Sequence, residues 1–414
     1  MKTLLSLFRV LGLTLLLAVP LRAGPEILSG AEHLVAEDFA ELEGRSAGLI
    51  TNHTATVGDR HLADLMNESS AVELTALFGP EHGIRGDAPA GARIDDDVDE
   101  RTGVPVHSLY GEIRKPTPAM LEGVEVLIFD IQDVGARFYT YISTMGYGMQ
   151  AAAEAGIPFV VLDRPNPLGG ERVEGFLLEP GYESFVGLYP IPVVHGMTVG
   201  ELALMIRGEG MLDGIEELDL SVVQAEGWER GMLWPDTGWE WNPPSPNIPD
   251  FETALIYPGA CFFEGTTASE GRGTREPFMV VGAPWIDPEE LADDLNGRNL
   301  PGLAFEPVTF TPVPIEGMAM RPKFRDTEIQ GVRHRILDPR KVRPVEAGIH
   351  LLDAFLARAP GKDDFFREAR IERLAGTGRL HRSLLDGTSP AEIVESWSDE
   401  VEAFKEIRRN YLLY

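Results

Sequence analysis

A chain of 414 residues with 43% hydrophobic side chains is long enough for one large core or for two domains that share a cleft. Its 66 Asp and Glu outnumber 36 Lys and Arg, for a formal net charge of -30, so a basic face that wraps nucleic acid is excluded. The single cysteine, Cys261, rules out an intrachain disulfide or a thiolate metal cluster and reads as a small buried hydrophobe.

Lys2 and Arg9 lead the apolar run Val10 to Val19, and Ala23 and Gly24 follow, which is the pattern of a secretory leader over residues 1–23. The run falls short of the roughly 20 residues a spanning helix needs. An exported protein, periplasmic or secreted, without stable membrane insertion is expected. From Ser46 to Asp163, short apolar runs at Ala47 to Ile50, Val72 to Phe78, Val124 to Ile131 and Pro158 to Leu162 alternate with helix-like stretches. Those stretches are Asp59 to Glu68, Pro116 to Leu121 and Tyr139 to Ala155. Continuous apolar runs of strand length, separated by helices, predict an α/β fold with a mostly parallel, Rossmann-like sheet. Thr198 and Glu201 form a capping box that starts a further helix. Trp234 to Pro258, dense in Pro, Asn and Trp, predicts an irregular connection, and the domain boundary is placed there. The reading is thus a Rossmann-like domain over 24–245 and a smaller α/β (α+β) domain over 246–414, with the cleft between them. In the second, Phe278 to Val281 and Leu303 to Phe310 are strands and Pro288 to Leu295 is a helix. Ser389 to Arg409 is one long amphipathic helix capped by Ser389 and Glu392.

In an open parallel sheet, ligands bind beyond the carboxyl ends of the strands. Here those ends run into Thr51-Asn52-His53-Thr54, Gly79-Pro80-Glu81-His82-Gly83, Asp130 to Arg137 and Asp163-Arg164-Pro165-Asn166-Pro167. Four polar clusters at equivalent strand ends point to one convergent site, although any one alone reads equally well as turn chemistry. Glu81, just past a buried strand, is the candidate general acid, since partial desolvation raises a carboxyl pKa. His82 is either its hydrogen-bonded neighbour or a catalytic group. Asp130 and Asp133, with Arg137 downstream, make a metal site or an ion-paired scaffold, and the ligand spacing favours the scaffold. Further along, Glu264 to Thr274 joins three glycines to Glu264, Glu270 and Arg272, a carboxylate pair and a fork-shaped cation. Tyr139, Tyr141, Tyr147, Trp234, Trp239 and Trp241 offer faces for a sugar or fill a core. No Gly-x-Ser-x-Gly elbow is present and Ser143 and Ser245 have no evident base, which weighs against a serine hydrolase.

Leu77 to Gly86, Phe129 to Tyr141, Val161 to Gly170, His195 to Thr198 with Gly200-Glu201-Leu202, Pro244 to Asn247 and Glu264 to Thr274 recur in order. Together they resemble the exo-acting β-N-acetylmuramidases of bacterial cell-wall recycling, over nearly the whole mature chain. The resemblance implies hydrolysis of a terminal, non-reducing β-1,4-linked N-acetylmuramic acid from peptidoglycan fragments. The partners are then peptidoglycan-derived saccharides, with no nucleotide, cofactor or metal. Glu81 becomes the acid, and Glu270 is inferred as a second catalytic group. The lactyl carboxylate calls for a dedicated cation, for which Arg272, Arg137 and Arg164 are candidates in that order. Asn52, Asp130, Asp133, Tyr139, Asn166, His195 and Glu264 complete the expected site. Two other readings are an exported receptor that holds cell-wall sugars without cleaving them, and a metal-dependent hydrolase built on Asp130, Asp133, His82 and His195.

Overall fold

The computed structural model describes residues 27–80, 83–86 and 97–414. The expected leader at 1–23, Glu81 and His82 lie outside them. Six strands form the parallel part of the main sheet: β1 (Ser46–Thr51), β2 (Glu73–Gly79), β3 (Pro105–Ser108), β4 (Val126–Asp130), β5 (Phe159–Leu162) and β6 (Leu220–Val223). Their order across the sheet is β3-β2-β1-β4-β5-β6, all neighbours parallel, with Asp97–Val98 added antiparallel at the β3 edge. This is the doubly wound order of a Rossmann fold, and its switch point lies between the carboxyl ends of β1 and β4.

The strands read as apolar runs because both faces are covered. Ile50, Phe78, Phe129, Phe159 and Val161 belong to one core, while Leu49, Leu77, Ile128, Val160 and Leu162 belong to a second on the opposite face. Alternation of period two inside a continuous apolar run is what a parallel strand between two helix layers requires. On the second face lie α1 (Gly30–Ala36) and α2 (Leu62–Glu68). On the first lie α3 (Tyr141–Ala155) and α4 (Val199–Gly208), the latter opened by the Thr198–Glu201 capping box. That first core continues without interruption into the carboxyl-terminal half, through Phe262, Phe263, Phe278 and Phe355. Each such buried ring contributes about 1.5–3 kcal/mol.

The second half begins with α5 (Phe251–Ala260), whose N-cap Asp250 accepts from the Thr253 amide. A three-stranded antiparallel sheet follows, β7 (Val280–Ala283), β8 (Leu303–Phe310) and β9 (Ile329–Ile336), with β9 in the centre. Against it packs α6 (Pro288–Gly297), and α7 (Pro344–Arg358), α8 (Glu368–Ala375) and shorter helices close the chain. No helix among the described residues is long and apolar enough to cross a membrane.

Three expectations are corrected. Pro116 to Leu121 forms consecutive turns, with Met120 bonded to the Thr117 carbonyl and Leu121 to that of Pro118, and left-handed Gly123 turns the chain toward β4 before a helix can propagate. Trp234 to Pro258 is irregular only in part: a single helical turn spans Trp234–Thr237, and α5 runs through Pro258. Ser389 to Arg409 divides into Pro390–Glu395 and Ser398–Arg408. The break lets Trp397 bury its indole edge-on to Phe176, with ring centroids 4.9 Å apart.

Helices α5 and α7 touch backbone to backbone at Gly259 and Gly348. A Cβ on Gly259 would lie 1.9 Å from the Pro344 carbonyl oxygen, and one on Gly348 would lie 2.5 Å from the Gly259 Cα. An exposed helical Gly→Ala change stabilises by about 1 kcal/mol. At Gly259 the sign reverses, and Gly259→Ala is expected to cost about 1–3 kcal/mol, as overpacking does. Urea midpoints measure it, and an unshifted or higher midpoint would show that the helices do not meet this closely.

Candidate active site

Beneath the strand ends lies a buried polar layer. Asn52 accepts from the Thr54 amide at 2.9 Å and its hydroxyl at 2.6 Å, an Asx turn that ends β1. At the end of β4, Asp130 takes a bidentate pair from Arg164 at 2.5 and 2.9 Å, with both side chains buried. Asp133 accepts from the Gly135 amide at 2.7 Å, and burial pushes its carboxyl up to about 7. Asn166 bridges the Leu168 amide and the Met197 carbonyl, each at 2.9 Å. It lies so close to Gly135, at φ +79°, that a Cβ there would fall 2.4 Å from its Oδ1.

Arg137 is fully buried and donates to the carbonyls of Phe176, Ile191 and Leu374 at 2.7, 2.8 and 3.0 Å. Burial lowers its pKa to about 9. His195 is also fully buried, and its Nδ1 accepts from the Met197 amide at 3.2 Å. Burial first, then the nearby charges of Arg408 and Arg137, depress its pKa to about 3. The structure therefore gathers Asn52, Asp130, Asp133, Arg137, Asn166 and His195 into one support, which joins strand ends and fixes loop shapes.

Above that support a cavity of about 800 Å³ opens beyond the ends of β3 and β4, between Tyr110, Tyr139, Tyr141 and Arg114 on one side and Tyr257, Glu264, Arg272, Arg370 and Arg373 on the other. A second cavity of about 400 Å³ adjoins it and contains Glu270, Arg321, Lys323 and Arg367. Glu264, Arg272 and Arg370 line both. Glu264 rides on the turn Cys261–Gly265 that continues α5, and this turn presses Gly265 against Ile371 of α8.

Arg272 grips one Glu264 oxygen through Nε at 3.0 Å and Nη2 at 2.9 Å, and Arg370 of α8 holds the other. Burial alone would raise the Glu264 carboxyl, but the two guanidinium groups outweigh it and hold the pKa below the ordinary range. Glu270 pairs with Lys323 at 2.9 Å, and the same ammonium donates to the Phe263 and Ala268 carbonyls. Tyr139 meets Tyr141 and Tyr257 edge to face, at 4.9 and 5.9 Å. Cys261 borders the cavity, but burial raises its thiol pKa well above the usual value, which disfavours the nucleophilic thiolate.

Of the residues expected from sequence, Tyr139, Glu264, Glu270 and Arg272 come together here. Arg164 faces a different cavity, lined also by Trp234, Trp239 and Trp241. Gly79 and Pro80, just before Glu81, close β2 beside β3, where the Leu109 amide donates to the Gly79 carbonyl at 2.8 Å. Sequence reasoning passed over Arg367, Arg370 and Arg373, although their spacing of three repeats along one helical face. Among the described residues, Arg114, Arg321, Arg367 and Arg373 have no carboxylate in ion-pair range, and Arg114 lies 4.4 Å over the Phe185 ring.

The buried His195 yields a pH expectation. The unfolded chain takes up this proton near 6.5 and the folded chain only near 3. Its contribution to stability is therefore complete above pH 6.5 and is lost as pH falls toward 3. Imidazole ¹⁵N shifts at pH 5 should show a neutral ring protonated on Nε2, and a charged ring at that pH would contradict the burial.

Comparison with known proteins agrees with this architecture. Residues 47–252 match the family model described as exo-β-N-acetylmuramidase NamZ, N-terminal, and residues 255–414 match its C-terminal counterpart. The chain is 44% identical over 391 residues to the peptidoglycan β-N-acetylmuramidase NamZ of Bacillus subtilis (strain 168), covering 94% of this chain and 92% of that protein. Crystal structures of two DUF1343 family proteins from Bacteroides fragilis NCTC 9343 superpose with TM-scores of 0.86 and 0.77, at 38% and 35% identity. Each alignment covers 94% of this chain and 99% of the other. The chain belongs to the exo-β-N-acetylmuramidase NamZ family.

Proposed function

We propose that the protein is an exo-β-N-acetylmuramidase, a glycoside hydrolase that removes terminal β-1,4-linked N-acetylmuramic acid from the non-reducing end of peptidoglycan fragments. The near full-length likeness to a peptidoglycan β-N-acetylmuramidase supports this reading. The observation that carries it in the structure is a tyrosine-walled cavity crowded with guanidinium groups in a chain of net charge -30. N-Acetylmuramic acid is a sugar with a lactyl carboxylate, so it needs an apolar face for its ring and a cation for its acid. Tyr139, Tyr141 and Tyr257 supply the former, while Arg272, with Arg370 and Arg373 of α8, supplies the latter.

In this reading Glu81, with His82 as its hydrogen-bonding neighbour, donates a proton to the leaving glycosidic oxygen as the bond to the anomeric carbon breaks, and one water supplies the oxygen that ends on that carbon and the proton that restores the acid. Glu270, anchored by Lys323, is the second carboxylate. Support from the residues below is indirect: Arg164–Asp130, Asn52, Asn166 and Asp133 hold the loops at the ends of β1, β4 and β5. The leader at 1–23 directs the enzyme out of the cytoplasm to the wall itself.

A chromogenic β-N-acetylmuramide should release its aglycone and the matching β-N-acetylglucosaminide should not, with or without chelator. Release from neither sugar while the muramide still binds would turn the reading toward a receptor. On a substrate with a poor leaving group, Glu81→Gln is expected to lower kcat/KM by at least about 100-fold, the usual scale of general acid catalysis. More than a tenth of wild-type activity would count against that role. Arg272→Lys keeps the charge but loses the fork, so kcat/KM for the muramide should fall about 10-fold or more. An unchanged value would remove Arg272 from the site.

A further inference from the structure

Helix α8, which brings Arg370 and Arg373 to the cleft, carries a second polar face. Glu368 and Glu372 are four residues apart, so they lie one above the other on the same side of the helix. Neither lines a cavity of the cleft, whereas Arg370 lines both. Gly376, left-handed at φ +76°, ends α8, and Thr377 Oγ1 accepts from the Arg379 amide at 3.1 Å as the next helix, α9 (Arg379–Leu385), begins. This tight reversal sets His381 of α9 against the two glutamates.

Three ligand atoms converge there. His381 Nε2 lies 3.8 Å from Glu368 Oε1 and 4.0 Å from Glu372 Oε1, and one ligand atom from each residue lies within 4.8 Å of the others. Both separations exceed hydrogen-bond length, and Nε2 makes no hydrogen bond among the described residues. The imidazole is only 4% exposed, and Phe366 meets it edge to face at 6.0 Å, which fixes the ring with Nε2 turned toward the carboxylates. Glu368, by contrast, is 69% exposed, so solvent and its ions reach the group.

A buried imidazole beside two carboxylates would ordinarily hold a proton. Here burial lowers the His381 pKa, and the glutamates, opposed by Arg382, do not make up for it. At neutral pH the ring is therefore uncharged, the form in which histidine binds a metal. Arg382 donates to Glu372 Oε1 at 3.0 Å, and such outer hydrogen bonds regularly hold ligating carboxylates in place. One imidazole with two carboxylates suits zinc, whereas magnesium and calcium prefer oxygen alone. Two ligands of a tetrahedral zinc ion lie about 3.4 Å apart, so closing the histidine–glutamate separations takes shifts of about half an ångström.

We propose that Glu368, Glu372 and His381, completed by water, form a binding site for a zinc ion that fastens α8 to α9. The site stands apart from the cleft, and its role is to brace the helix that carries Arg370 and Arg373; bond cleavage does not pass through it. The inference is independent of the muramidase reading.

The test is calorimetric titration of zinc chloride into the intact, chelator-treated protein at neutral pH, with magnesium chloride as the control. One ion per chain is expected to bind. Glu368→Gln and His381→Gln should each weaken binding at least about tenfold, since loss of even an outer partner of a metal ligand costs about 10–100-fold. Zinc should also raise the thermal midpoint of the wild-type protein and leave that of Glu368→Gln unmoved. Glu368 is exposed, so its variant should fold as the wild type does, and it decides alone if His381→Gln does not fold. No zinc binding, an affinity unchanged in Glu368→Gln, or magnesium bound as tightly as zinc overturns the proposal.

Discussion

The carboxylate of Glu264, buried and clamped between Arg272 and Arg370, is the interaction on which the cleft depends. An ionised carboxylate in such a place is tolerated only with partners, and removing one typically costs 3–5 kcal/mol because the other charge is stranded. The clamp joins three parts of the chain that are distant in sequence: the turn after α5, the glycine-rich loop, and α8. It forms the common wall of two cavities, so the same ion triad that secures the second half of the protein also shapes the space where a sugar would lie.

A division of labour runs through the site. Below the strand ends, buried polar groups hold one another: Asp130 is bound by Arg164, Asn166 by Leu168 and Met197, and Arg137 by three carbonyls, while Asp133 Oδ1, Arg137 Nε and His195 Nε2 find no partner among the described residues. Above them, the guanidinium groups of Arg114, Arg367 and Arg373 remain unpaired by carboxylates among the described residues. The lower layer fixes the loops through its own bonds, whereas the upper layer leaves cations facing the cavities.

Much of the scaffold was legible in the sequence because it rests on strong local signals. Strands buried on both faces appear as apolar runs, and the Thr198–Glu201 box starts α4 where the motif places it. Failures came where tertiary packing overrides local pattern. The demand to bury Trp397 against Phe176 splits a continuous amphipathic stretch, and Pro258 is accommodated inside a helix. At the site, the glycine-rich loop announced Glu264 and Arg272, yet their third partner, Arg370, lies about a hundred residues on and is joined only by folding. Arg137 shows the reverse limit: sequence cannot distinguish a guanidinium destined for a ligand from one that satisfies backbone carbonyls in the interior.

The concentration of cations in the cleft of so acidic a chain has a consequence for how an anionic wall fragment arrives. At a distance the fragment meets the repulsion of the whole molecule, and only within a few ångströms does it meet the arginines. Dissolved salt acts unequally on these two ranges, because near 0.15 M the Debye length is about 8 Å, which extinguishes the far field while sparing contacts inside a cavity. Moderate ionic strength should therefore speed capture rather than slow it, the inverse of the behaviour of enzymes that draw in anions with a basic surface.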